Sequence, residues 1–256
     1  MTPLNQFIKP MRSLLLAGVA VVALGACASN RGNIGSTDYS GMAAGQSQQT
    51  LAELTARYKA NPKDKVIAIH YAAALRAVGQ NAQAVSVLQI SMDMYPRDVD
   101  INVAYAKALT ADGRFEQSLA VLDNVIRPEA PDWNALLVKG ATLDQLGRNA
   151  EARALYTQAL VFAPGEASIE ANMGLSYAMT NELPAAEQHL RRAVQMQGAT
   201  SRIRQNLALV VGLQGRFEEC RALYAAELPP EQVESNMAYV RALLTQQNRW
   251  DMIAKS

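Results

Sequence analysis

Along most of the chain, apolar positions recur at helical spacing in segments about a dozen residues long, with short polar turns between them. Gly79, Gly113, Gly147, Asn181 and Gly215 mark five of these turns at intervals of 34 residues. Seven positions before each turn stands a small residue: Ala72, Ala106, Gly140, Gly174 and Ala208. Five positions after it stands another: Ala84, Ser118, Ala152, Ala186 and Cys220. Large apolar residues come four before, as Leu75, Leu109, Leu143, Tyr177 and Val211, and nine after, as Leu88, Leu122, Tyr156, Leu190 and Tyr224. The two sets are complementary. Antiparallel helices approach to about 8–10 Å where a small side chain receives a large one, and Gly or Asn supplies the left-handed backbone that ends the first helix. Pro96, Pro131, Pro164 and Gly198 then close the second helices.

This spacing resembles the tetratricopeptide repeat (TPR), in five units at 65–98, 99–132, 133–166, 167–200 and 201–232. The resemblance implies an all-α fold, a right-handed superhelical solenoid of helix pairs. Lys139 and Glu227 depart from it where apolar residues are usual. Ala68, Asn102, Leu136, Glu170 and Arg204 replace the aromatic that often opens the repeat. Residues 49–64 read as a capping helix, Leu51 to Lys59 followed by Asn61-Pro62, and 233–256 as a closing helix, Val233 to Leu244, with a tail. End units need such caps because they otherwise expose an apolar face.

Ahead of the repeats, residues 1–26 read as a signal peptide. Lys9 and Arg12 precede the apolar run Leu14 to Leu24, which at about eleven residues is too short for the roughly twenty needed to span a bilayer. Leu24-Gly25-Ala26-Cys27 resembles the lipobox of bacterial lipoproteins, which implies a diacylglyceryl group on Cys27 and an anchor of several acyl chains. The alternative is an ordinary cleaved signal with a coincidental cysteine. Ala28 stands where Asp would signal inner-membrane retention in enteric bacteria, so the analogy favours the outer membrane, facing the periplasm. Residues 27–48, rich in Ala, Ser, Gly, Asn and Gln, read as a flexible tether with a typical reach on the order of 25 Å.

Charge adds an exclusion. The chain has 24 Lys and Arg against 23 Asp and Glu, and removing Lys9 and Arg12 leaves 22 against 23. That balance gives no electrostatic footprint for nucleic acid. Once Cys27 is lipidated no disulfide can form, and Cys220 falls at a buried small-residue site, where packing explains it. No phosphate loop, His-Glu-x-x-His or Gly-x-Ser-x-Gly motif is present, so neither catalysis, a cofactor nor a small-molecule substrate is expected. His70 and His189 lie on different units and read as surface or packing residues, not metal ligands. Asp93, Asp98 and Asp100 fit an acidic turn and helix start.

Protein binding remains. The first helices of stacked pairs line a concave face, on which the register places Ile69, Val103, Lys107, Leu137, Ala141, Asp144, Ala171, Leu175, Arg202, Gln205 and Leu209. Such a groove suits an extended or helical segment with apolar anchors. Replacing both Leu137 and Leu175 by Glu is then expected to weaken capture while sparing helicity. The alternative is that these side chains are helix packing.

Several stretches go beyond the generic repeat: Asn61-Pro62-Lys63-Asp64, Pro131-Asp132-Trp133, Asp144-Gln145-Leu146-Gly147, the run Arg204 to Phe217, Leu228-Pro229-Pro230 and Asn236 to Arg241. They resemble the TadD family, the repeat lipoproteins of tight-adherence (Tad, or Flp) pilus assembly. The resemblance implies a part in building a type IVb-like pilus, with assembly proteins such as the outer-membrane secretin as partners. A repeat lipoprotein of β-barrel assembly and a pilotin of another type IV pilus are the rival readings.

Overall fold

The structure, a computed structural model, describes Tyr39 and residues 44–253; the signal peptide, Cys27, Ala28 and most of the tether lie outside these residues. Twelve helices follow one another among the described residues, with no strand. The first, α1 (Ala44–Ala60), precedes five pairs: α2 (Lys65–Ala77) with α3 (Asn81–Met94), α4 (Val99–Ala111) with α5 (Phe115–Asp123), α6 (Trp133–Gln145) with α7 (Asn149–Phe162), α8 (Ala167–Met179) with α9 (Leu183–Gln195), and α10 (Ser201–Leu213) with α11 (Phe217–Ala225). A final helix, α12 (Pro230–Ile253), follows. Each helix packs on its neighbour in sequence, and the first helices also touch in series, α2 on α4, α4 on α6, α6 on α8 and α8 on α10.

The five turns share one mechanism. Gly79, Gly113, Gly147, Asn181 and Gly215 all have positive φ, between 62° and 81°. In each, the amide after the turn donates back to the carbonyl of the large apolar residue four before it: Gln80 to Leu75, Arg114 to Leu109, Arg148 to Leu143, Glu182 to Tyr177 and Arg216 to Val211. This is the closure of a helix that ends on a left-handed residue. Helix starts repeat as well. Asp64, Asp98, Asp132 and Thr200, spaced in multiples of 34, each accept from amides of the following first turn, satisfying donors that the helix itself leaves open.

Within a pair, the small and large positions meet as their spacing requires. A β-carbon on Gly140 would lie 2.4 Å from Tyr156 Cε1, and one on Gly174 would lie 2.8 Å from Leu190 Cγ. At the last pair Cys220 is fully buried, its Sγ 3.6 Å from Met237 Sδ, so α12 seals the end of the stack with Val233, Met237 and Val240. Boundaries differ from the sequence reading at both ends, α12 also beginning at Pro230 rather than Val233. Helix α1 starts at Ala44, inside the span read as tether, and α12 runs nine residues past Leu244. The Ala, Gly and Gln of 44–50 carry no apolar period, but the Gln49 side chain donates to Glu53 one turn further on.

Candidate partner-binding surface

The residues that the register assigns to a concave face all lie on first helices. Nine of the eleven are buried: Ile69, Val103, Lys107, Leu137, Ala141, Asp144, Ala171, Leu175 and Leu209. Arg202 and Gln205, at the start of α10, are half-buried. Leu137 and Ala171 have no exposure at all, and both belong to the apolar clusters between helices. Glu at Leu137 or Leu175 would therefore bury a carboxylate in the core and damage the fold as well as any capture; the expectation that helicity survives is corrected on that ground. Gly212, next along the same face, packs instead against Cys220 and Val240.

Asp144 shows where the polarity of this face goes. Its carboxylate accepts from Ser176 Oγ on α8, Tyr156 OH on α7 and Asn149 Nδ2 on α7, each at 2.7 Å. Burial raises its pKa from 3.8 to about 6, although the three hydrogen bonds oppose the rise. One unit earlier, the hydroxyls of Thr110 and Thr142 lie 2.8 Å apart, with Ser118 Oγ 2.8 Å from Thr110. Both inter-unit contacts join a residue three before one turn to a residue five before the next, 32 positions on. A buried polar seam thus runs across units two to four. Arg153 reinforces it from α7, lying 3.9 Å over the Tyr177 ring and donating to the Ser176 carbonyl at 3.0 Å and to Glu182 at 2.8 Å.

The departures from the repeat pattern form pairs. Glu170, buried in the position of the usual aromatic, accepts from Arg192 on α9 at 3.1 Å and pairs with His189 at 2.7 Å. His189 in turn stacks on Tyr177 with ring centroids 5.1 Å apart. Arg204, at the same position of unit five, pairs with Glu227, and Lys139 pairs with Asp123. The pairing with Arg192 and His189 holds the Glu170 pKa down against its burial, and Arg204 does the same for Glu227. The chain itself supplies the counter-charges. These side chains are therefore satisfied within the fold and are not a ready ligand set.

Among the described residues no group of three or more His, Cys, Asp or Glu is placed to hold a metal, and no helix is long and apolar enough to cross a membrane. Large apolar side chains left exposed are Ile90, Met94 and Tyr95 at the end of α3, Val161 and Phe162 at the end of α7, and Tyr239 on α12.

Residues 75–140 match the tetratricopeptide-repeat family. Among solved structures, the chain is similar to a thermophilic TPR protein of Thermus thermophilus at 19% identity, with a TM-score of 0.59 over 77% of this chain and 99% of that one. Its fold is that of the tetratricopeptide-repeat proteins. A TPR protein of Parabacteroides merdae is similar over 78% of this chain and 77% of that one, with 13% identity and a TM-score of 0.62. PilW, described as a widely conserved type IV pilus biogenesis factor, is similar over 75% and 91%, with 18% identity and a TM-score of 0.56. At these identities the likenesses show the fold alone. The sequence matches no curated protein. The TPR fold is a scaffold for protein–protein interaction, so a protein-binding surface is the functional feature to seek.

Proposed function

We propose that this TPR protein is a non-catalytic lipoprotein adaptor of Tad/Flp pilus assembly, held by lipid on Cys27 at the outer membrane and facing the periplasm. Its partners are other assembly proteins, the outer-membrane secretin first among them. The observation that carries the reading is the TadD-like run from Arg204 to Phe217, which spans most of α10, its turn and the first residue of α11. Arg202 and Gln205, the half-buried members of the concave set, lie on the same helix, so α10 is where a partner is first expected.

Deleting the gene abolishes pili and leaves barrel insertion and viability intact; a lethal defect in barrel insertion transfers the assignment to the β-barrel assembly reading. A labelled fatty acid enters the wild-type protein and not Cys27→Ser; labelling that persists in the variant removes the anchor. For the surface, Arg202→Glu with Gln205→Glu lowers capture of the secretin by the purified protein without changing its helicity. The second reading, a pilotin of another type IV pilus, draws on the fold shared with PilW. Secretin multimers lost in the deletion strain of a non-Tad system would favour it.

A further inference from the structure

Tyr39, within the segment expected to be a free tether, contacts the repeats. Tyr39 is half-buried, and its side chain packs on the apolar cluster of α1, α2 and their neighbours. Its hydroxyl lies 2.9 Å from Nδ1 of His70 on α2, 31 positions away, and the two rings meet edge to face with centroids 6.2 Å apart. Burial and the charge of Arg57 hold the His70 pKa below its ordinary value. The imidazole is thus neutral at neutral pH, and in the tautomer protonated on Nε2 its Nδ1 accepts from the tyrosine hydroxyl.

We propose that Tyr39 and His70 form a latch that fastens the chain ahead of α1 to the first unit, shortening the leash from the membrane and making unit one the membrane-proximal end of the stack. The consequence for the membrane rests on the lipid-anchor reading of Cys27. Twelve peptide steps separate Cys27 from Tyr39, and seventeen separate it from Ala44, where α1 begins. Fully extended, these reach at most about 43 Å and about 61 Å. The latch therefore removes close to a third of the leash. It also keeps α2 at the anchored end, so that α10 to α12, with Arg202 and Gln205, are the elements presented furthest from it.

The protein purified from envelopes in detergent tests the contact directly. Chymotrypsin cuts after tyrosine only where the chain is free to enter its site. Cleavage after Tyr39 is expected to be slow in the wild type and roughly three- to tenfold faster in His70→Ala and in His70→Phe, which fills the same space without the acceptor. In Tyr39→Phe the His70 Nδ1 resonance shifts by NMR. Wild-type cleavage as fast as in the variants, or an unmoved resonance, overturns the latch. For the leash, ten Gly and Ser residues inserted after Ser36 should increase the distance between a dye on unit one and a lipid dye in vesicles, whereas the same insertion after Gly41 should not. Equal increases from both insertions also overturn the proposal. Fatty-acid labelling of Cys27, scored on the same samples, separates failure of the anchor from failure of the latch.

Discussion

Gly140 and Tyr156 fill one another's space: the ring stands where a β-carbon on the glycine would be, 2.4 Å from it. Ala at Gly140 gains about 1 kcal/mol of helix propensity but must push aside a fully buried ring, which costs about 1–3 kcal/mol. Gly140→Ala should therefore lower Tm, by about 2–4 °C for each kcal/mol of net loss. Combining it with Tyr156→Leu recreates the Ala106 and Leu122 pair of the preceding unit. The double variant should then be more stable than the sum of the single changes allows; simple additivity would contradict the fit.

Asp144 makes stability depend on pH. Its pKa is 3.8 when unperturbed and about 6 in the fold, so the folded protein holds the proton more tightly. The stabilisation from protonating Asp144 is fully present below pH 3.8 and is lost as pH rises through about 6. Its full size is about 3 kcal/mol, from a shift of roughly two pKa units. Asp144→Asn cannot titrate there. Denaturant unfolding should show the variant gaining on the wild type as pH rises from 4 to 7, whatever their offset at pH 4. A constant difference across that range would mean that the carboxylate is not held as described.

Arg204 and Glu227 test whether the departures from the repeat pattern compensate one another. A double-mutant cycle with Ala at each should give a coupling of about 1 kcal/mol, below that of a fully buried pair because the arginine is partly exposed. A coupling near zero would return both residues to the status of unexplained exceptions.

Much of this fold is legible in the sequence because one geometric requirement recurs. Ala72 with Leu88 or Gly174 with Leu190 carries little weight alone; the same small-to-large spacing over five turns carries the fold. The seam escaped for the opposite reason. Thr110–Thr142 and Asp144–Ser176 are spaced by 32, not 34, and occur only twice, so no recurring residue type marks them in the sequence. The partners of the charged opening residues are likewise not legible, since Glu170 meets Arg192 and His189 only once α8 and α9 pack together. A signal was available for the helix starts: Asp64, Asp98 and Asp132 recur every 34 residues. Register along the first helices does not by itself tell a residue that lines a face from one closed in by its neighbours, as the burial of Leu137 and Ala171 shows.

Cys220 should report on the closing helix. It is fully buried between α10 and α12, and burial pushes its thiol pKa up. Thiol reagents should leave the native protein unmodified and react on addition of denaturant. Met237→Ala opens space beside the sulfur and should cost about 2–5 kcal/mol while admitting reagent under native conditions. Continued protection in that variant would show that α12 does not guard the site.

The contacts spaced by 32 residues also bear on how such a chain can grow. Each turn is closed by a hydrogen bond within its own unit, so a 34-residue duplication leaves every turn intact. The seam is more selective about neighbours. A tandem copy of 133–166 would set Asp144 against the Thr142 of its duplicate, again a carboxylate meeting a hydroxyl. A copy of 167–200 would set Ala178 against Ser176 and leave a buried hydroxyl facing a methyl group. The buried polar residues therefore act as joining rules, deciding which units can be repeated or exchanged without loss and so which longer or shorter relatives this array can readily give rise to.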